Sequence, residues 1–92
     1  MMITQAIQDY LKIIYKIGSL GGGVTTNAIA ERLGVSQASV TGMIKKLSDF
    51  KLIRYTPYYS VELTNAGRKI ALEIIRHHRL LELYLAEALG YS

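Results

Sequence analysis

The chain contains no cysteine, so disulfides, thiolate zinc sites and cysteine nucleophiles are excluded outright. Tryptophan is also absent, and the single proline, Pro57, falls where a turn is expected. No uninterrupted apolar run is long enough to span a bilayer and no signal peptide follows Met1, so the cytoplasm is the expected compartment. The glycine run Gly21-Gly-Gly23 is not followed by the Lys-Ser/Thr of a phosphate-binding loop, and it reads as a hinge or loop. No nucleophile-base-orienter set and no paired carboxylates can be found, and the adjacent His77 and His78 point to different faces of a helix. An enzyme is therefore not expected.

What is present is a small globular domain of 92 residues, half of them apolar and seven of them tyrosine. Its formal net charge is +4, and the distribution of that charge says more than its size. Eight of the eleven lysines and arginines (Lys45, Lys46, Lys51, Arg54, Arg68, Lys69, Arg76 and Arg79) fall between residues 45 and 79, against only Asp49, Glu62 and Glu73. That clustering favours a polyanion as partner.

The stretch from Ile29 to Phe50 reads as helix, tight turn, helix. Ile29, Ala30 and Leu33 share one face of the first helix, Gly34 supplies the permissive backbone of the turn, and Ser36 can cap the second helix. In that second helix Val40, Met43, Ile44, Leu47 and Phe50 recur at steps of three and four and are expected to face inward. Gln37, Ala38, Thr41, Gly42 and Lys45 are then left outside. Small polar tips in front and cations behind suit a helix lying in a DNA major groove. The expected contacts are Ser36, Gln37, Ser39 and Thr41 near base edges, with Lys45 and Lys46 near phosphates. The bland alternative is an αα-hairpin with a solvated face.

Upstream, Thr4 is a candidate cap for a helix carrying the stripe Ile7, Tyr10, Leu11, Ile14 and Ile17, with Gly18 as its expected end. Val24 and Thr25 read as a very short strand, and Thr26 or Asn27 as the cap of the next helix. Downstream the pattern alternates, as strands do: Leu52 to Thr56 and Val61 to Thr64 form a hairpin around Pro57. Thr64 to Lys69 opens a last helix with the apolar positions Ile70, Ile74, Ile75, His78, Leu81, Leu85 and Leu89.

This order, helix, short strand, helix-turn-helix, hairpin, helix, is that of a winged helix-turn-helix: mostly α with a small β-hairpin, followed by a long C-terminal helix. The wing, residues 52–64, is expected to lie along the DNA backbone, with Arg54, Arg68 and Lys69 flanking the groove helix and Tyr58 and Tyr59 at its tip. Arg54 can equally point only to water, and paired tyrosines can be cross-strand packing. The far end of the last helix, Leu80, Leu81, Leu83, Leu85, Ala86, Ala88 and Leu89, carries more apolar surface than one stripe buries, and a second copy of the chain is its expected cover.

Five runs carry a family resemblance: Asp9-Tyr-Leu-Lys-Ile-Ile-Tyr15, Ile29-Ala-Glu-Arg-Leu33, Ser39-Val-Thr41, Leu63-Thr-Asn-Ala-Gly67 and Arg76-His-His-Arg-Leu-Leu-Glu82. Together they resemble the metal-dependent repressors typified by the diphtheria toxin repressor and the manganese transport regulator, over essentially the whole chain. The resemblance implies a homodimeric repressor that binds operator DNA when loaded with Mn(II) or Fe(II). It divides the chain into a DNA-binding domain, residues 1–75, and the start of a dimerisation and metal-binding region, residues 76–92. It implies Asp9 and His78 as metal ligands, and Glu82 as a further one as in the iron-responsive branch. His78 and Glu82 at i, i+4 share a helix face, and Asp9 is a hard donor suited to Mn(II).

Three departures from the family carry consequences. Lys12 stands where the manganese branch places a second first-helix carboxylate, so a two-ion site is not expected. Gly42 replaces a longer polar side chain of the groove helix. The family continues past the position of Ser92 into a helix that completes the metal site, so these 92 residues are expected to hold the ion weakly or not at all. An end directly after an apolar stripe favours an excised domain over a naturally short relative. Two other functional classes fit the same fold: a metal-independent winged-helix regulator and a winged-helix protein-interaction module.

Overall fold

Thr4 sits in extended backbone and its hydroxyl accepts the Ile7 N–H at 3.2 Å, which starts the first helix, α1, Gln5–Ser19. The computed structural model describes residues 3–21, 23–55 and 60–89, with side chains described as far as residue 83. In α1 the residues Ile7, Tyr10, Leu11 and Ile14 recur at helical spacing and are all buried, which is the amphipathic solution for a helix lying on one core. Gly18 does not end the helix. It remains helical, and the chain turns at Gly21, whose φ of 89° lies in the left-handed region open to glycine.

The second helix, α2, Thr26–Leu33, is capped by neither Thr26 nor Asn27. Thr25 holds the extended cap conformation and accepts the Ala28 N–H at 3.0 Å. Gly34 follows with φ 66° and ψ 36°, donating its N–H to the Ala30 carbonyl and turning the chain towards α3, Gln37–Asp49. Val40, Ile44 and Leu47 of α3 are buried and Met43 is half-buried, but Phe50 is 40% exposed. Phe50 is the C-cap of α3, so it lies just past the point where the helical repeat would have carried it inward.

Lys51 then takes a left-handed φ of 59°, and the Leu52 N–H donates back to the Leu47 carbonyl, the usual closure of a helix end. Strand β1, Ile53–Tyr55, pairs antiparallel with β2, Val61–Leu63, in the register Ile53↔Leu63, Arg54↔Glu62, Tyr55↔Val61. The expected turn residues Pro57, Tyr58 and Tyr59 lie outside the described residues. The short strand expected at Val24 and Thr25 is a single bridge, Val24↔Val61, with the Val61 N–H donating to the Val24 carbonyl at 2.7 Å.

Thr64 caps α4, Asn65–Leu89, by accepting the Gly67 N–H at 3.1 Å, while its own hydroxyl donates to the Lys51 carbonyl at 2.8 Å. Its backbone N–H donates to the Leu52 carbonyl. One threonine thus fastens the exit of α3 to the start of α4. Gly67 is buried at this joint, where a Cβ would collide with the Leu52 carbonyl oxygen. Helix α4 runs unbroken through residues 75 and 76 and packs along α1.

The core gathers Ile7, Leu11 and Ile14 of α1, Ile29 of α2, Val40, Ile44 and Leu47 of α3, Leu52, Ile53 and Val61 of the wing base, and Ala71 of α4. Burying each large aliphatic contributes about 1.5–3 kcal/mol. Beyond Ala71 the α4 stripe only half-buries Ile74, Ile75 and His78, and Leu81 is exposed. The helix is leaving the domain. The radius of gyration, 14.4 Å, exceeds the ~12 Å expected of a globule of this length for that reason.

Candidate nucleic-acid interface

The inward face of α3 is fixed by Val40, Ile44 and Leu47, and that burial decides what faces out. Gln37, Ala38, Ser39, Thr41, Gly42, Lys45 and Lys46 are all exposed, as is Ser36 at the cap. Ala38, Thr41, Gly42 and Lys45 follow one another at steps of three, one and three along this surface, so the front of the helix is low and its rear is cationic.

The hydroxyls at the front are not equally free. Ser36 Oγ accepts the Ser39 N–H at 3.1 Å and donates its proton to Ser39 Oγ at 3.0 Å. Ser36 is thus largely spent on the cap, whereas Ser39 keeps its own hydroxyl proton to donate outward. Gln37 and Thr41 carry the remaining uncommitted hydrogen-bonding tips. At Gly42 an added Cβ would meet no heavy atom within 4 Å, so the surface there opens directly onto backbone. Asp49, counted above only in the charge balance, is exposed one turn beyond Lys45 on the same stripe and offsets part of its charge.

Arg54 and Arg68 are both exposed and share the lining of a cleft of about 620 Å³ with Tyr15, Ser60, Glu62 and Asn65. No α3 residue lines that cleft, so the two arginines form a basic feature beside the wing, separate from the α3 surface. Lys69 does not join them. It lines a mostly apolar groove with Ile3, Gln8 and Ile70. Tyr58 and Tyr59 are outside the described residues.

The three residues named as metal ligands are not brought together. Asp9 Oδ1 accepts a bond from Gln5 Nε2 at 2.9 Å, His78 is half-buried with Nδ1 3.5 Å from Lys12 Nζ, and Glu82 is exposed. Among the described residues no three His, Asp or Glu side chains lie close enough to hold one ion. An ammonium beside the imidazole is, moreover, the wrong neighbour for a divalent cation. The donor set present therefore does not fit a metal in this arrangement.

Among the described residues no helix is long and apolar enough to cross a membrane. Helix-turn-helix, hairpin and long closing helix, with a polar and basic exposed surface on the second helix of the turn, define a winged-helix domain of the DNA-binding kind.

Residues 2–61 match the family model of the iron dependent repressor N-terminal DNA binding domain, and residues 64–92 match that of the iron dependent repressor metal binding and dimerisation domain. The chain belongs to the iron-dependent repressor family. It is 38% identical over 91 residues to the HTH-type transcriptional regulator MntR of Oceanobacillus iheyensis, covering 99% of this chain and 61% of that regulator. Its identity to MntR of Bacillus subtilis is 36% over 84 residues, 91% of this chain and 59% of the relative. The crystal structure of the manganese-activated repressor ScaR, apo form, superposes with a TM-score of 0.81 at 37% identity, over 91% of this chain and 40% of that one. The chain thus spans about three fifths of the length of the curated relatives it matches.

Proposed function

We propose that this chain is the DNA-binding part of a transcriptional repressor that reads operator DNA as a homodimer, with α3 in the major groove. The observation that carries the reading is the division of α3 into a buried face, Val40, Ile44 and Leu47, and an exposed face of small polar residues closed by Lys45 and Lys46. Gln37, Thr41 and the Ser39 hydroxyl address base edges, and Ser36 chiefly holds the helix end. Arg54 and Arg68, with Tyr58 and Tyr59, serve the DNA backbone beside the groove.

Leu80, Leu81 and Leu83 are 57%, 45% and 58% exposed on the part of α4 that leaves the domain. In this reading they face a second copy, which sets two α3 helices on successive half-sites of a palindrome. The ion that the resemblance to the metal-dependent repressors implies is Mn(II) or Fe(II). These 92 residues hold it weakly or not at all, since Asp9, His78 and Glu82 do not converge on one point.

The deciding experiment is duplex binding across a salt series. Lys45→Ala should weaken all duplexes alike and lower the salt slope by roughly one unit, whereas Gln37→Ala should shift sequence preference. Salt-insensitive binding, or equal preference before and after Gln37→Ala, would remove α3 from the groove.

A further inference from the structure

The contact between Lys12 and His78 joins α1 to α4 across 66 residues of sequence, with Nζ and Nδ1 3.5 Å apart and both residues half-buried. At that separation a hydrogen bond is at its long limit, but its direction is fixed by chemistry. An ammonium carries three donors and no acceptor, so Nδ1 must be the acceptor and, in the neutral imidazole, the ring proton must sit on Nε2. Neither ring nitrogen is then open: Nδ1 faces a cation and Nε2 holds a hydrogen. A metal-ligating histidine ordinarily shows the reverse arrangement, with one nitrogen on the ion and the other donating to a carboxylate or carbonyl.

The surroundings agree with this. Asp9, three residues before Lys12 on the same face of α1, has its Oδ1 engaged by Gln5. A divalent ion placed about 2 Å from either imidazole nitrogen would have to displace the ring proton or stand against the ammonium, with a charge product twice that of a unit pair. The geometry points to Lys12 as the resident cation between α1 and α4: its ammonium fills the position beside His78 and fixes the two helices relative to each other without a divalent ion. The orientation of α4 against the domain that carries α3 is then built into the chain and does not wait for an ion at His78.

The test uses the 92-residue chain with metal alone and involves no DNA, so it stands or falls independently of the DNA-binding reading. Thermal unfolding is followed in chelator and in about 1 mM Mn(II). The unmodified chain should melt within about 1 °C in the two conditions. Lys12→Glu removes the cation and sets a carboxylate beside His78, and Mn(II) should then raise its melting temperature, by about 10 °C or more if the ion is at ~100 times its Kd. Adding His78→Ala should cancel the rise. The proposal is overturned if Mn(II) raises the melting temperature of the unmodified chain in a way that His78→Ala abolishes, or if folded Lys12→Glu shows no response to Mn(II). Should Lys12→Glu not fold, Lys12→Gln is compared with the unmodified chain by NMR. Paramagnetic broadening of the His78 ring signals by Mn(II) in the variant alone supports the proposal. Equal behaviour of the two proteins, broadened or not, overturns it.

Discussion

Gly42→Ala is a small perturbation that separates what α3 needs in order to fold from what it needs in order to bind. The glycine lies within the helix, its φ is not in the left-handed region, and a Cβ built on it meets nothing within 4 Å. No clash opposes the methyl group, and alanine loses less backbone freedom on folding than glycine, so the variant should be more stable by about 0.5–1 kcal/mol. For a domain of this size that is a rise in melting temperature of roughly 2–8 °C. If the helix meets DNA along Ala38, Thr41 and Gly42, the same methyl occupies the point of closest approach, and affinity should fall by about 1 kcal/mol, roughly fivefold. Circular dichroism melting and fluorescence anisotropy with a labelled duplex measure the two effects on one sample. Destabilisation would refute the open space at Gly42. Added stability with unchanged affinity would show that α3 meets DNA along another line.

Gly67→Ala should act in the opposite sense, because its Cβ would run into the Leu52 carbonyl at a buried joint; a loss of at least ~2 kcal/mol in urea unfolding is expected, and a loss below ~0.5 kcal/mol would contradict it. Asp49→Asn removes the one acid on the exposed stripe of α3, close to the helix C-terminus, and should raise both stability, by a few tenths of a kcal/mol, and affinity for all duplexes; a fall in affinity would show Asp49 to be a contact. Burial raises the Tyr10 phenol above its ordinary 10.0. The folded chain then holds that proton where the unfolded chain releases it, so stability should begin to fall as the pH passes about 10. Urea titrations at pH 9 and 11 should show a smaller difference in Tyr10→Phe, and an identical pH dependence would discount the phenol.

The helical faces were readable because each is a local pattern: Ile7, Tyr10, Leu11 and Ile14, or Val40, Ile44 and Leu47, need only the 3.6-residue repeat to declare a buried side. Gly34 and Ser36 were readable for the same reason, since a left-handed turn and a cap each depend on one residue's chemistry. Where several residues could do the same work the pattern gave no choice: Thr26 and Asn27 were the expected caps, and the cap is instead their neighbour Thr25, which the pattern assigned to a strand. Phe50 was misplaced because a repeat does not state where its helix stops. The candidate metal ligands show the larger limit. Spacing puts His78 and Glu82 on one face of α4, but whether Asp9 meets them depends on how far α1 and α4 slide and rotate against each other. That depends on the whole core, Ala71 included, a residue too small to stand out in a hydrophobic pattern. The approach of Lys12 to His78 is a product of that packing and was invisible for the same reason.

The joint at Thr64 sets up a lever. Its hydroxyl and N–H hold the carbonyls of Lys51 and Leu52 at the exit of α3, while its own oxygens accept the first N–H groups of α4. From that fulcrum α4 extends 25 residues, about 37 Å. A tilt of about 5° at Thr64 therefore sweeps the far end through roughly 3 Å, by arithmetic on the same helical rise. In the opposite direction the ratio reverses: a clamp that holds the tip to within about 1 Å limits the swing at the base to under ~2°. Whatever grips the leucines at the far end thus reinforces the hold of α1 on α4 at Lys12 and His78, with a precision that no contact of the same tightness near Thr64 could match.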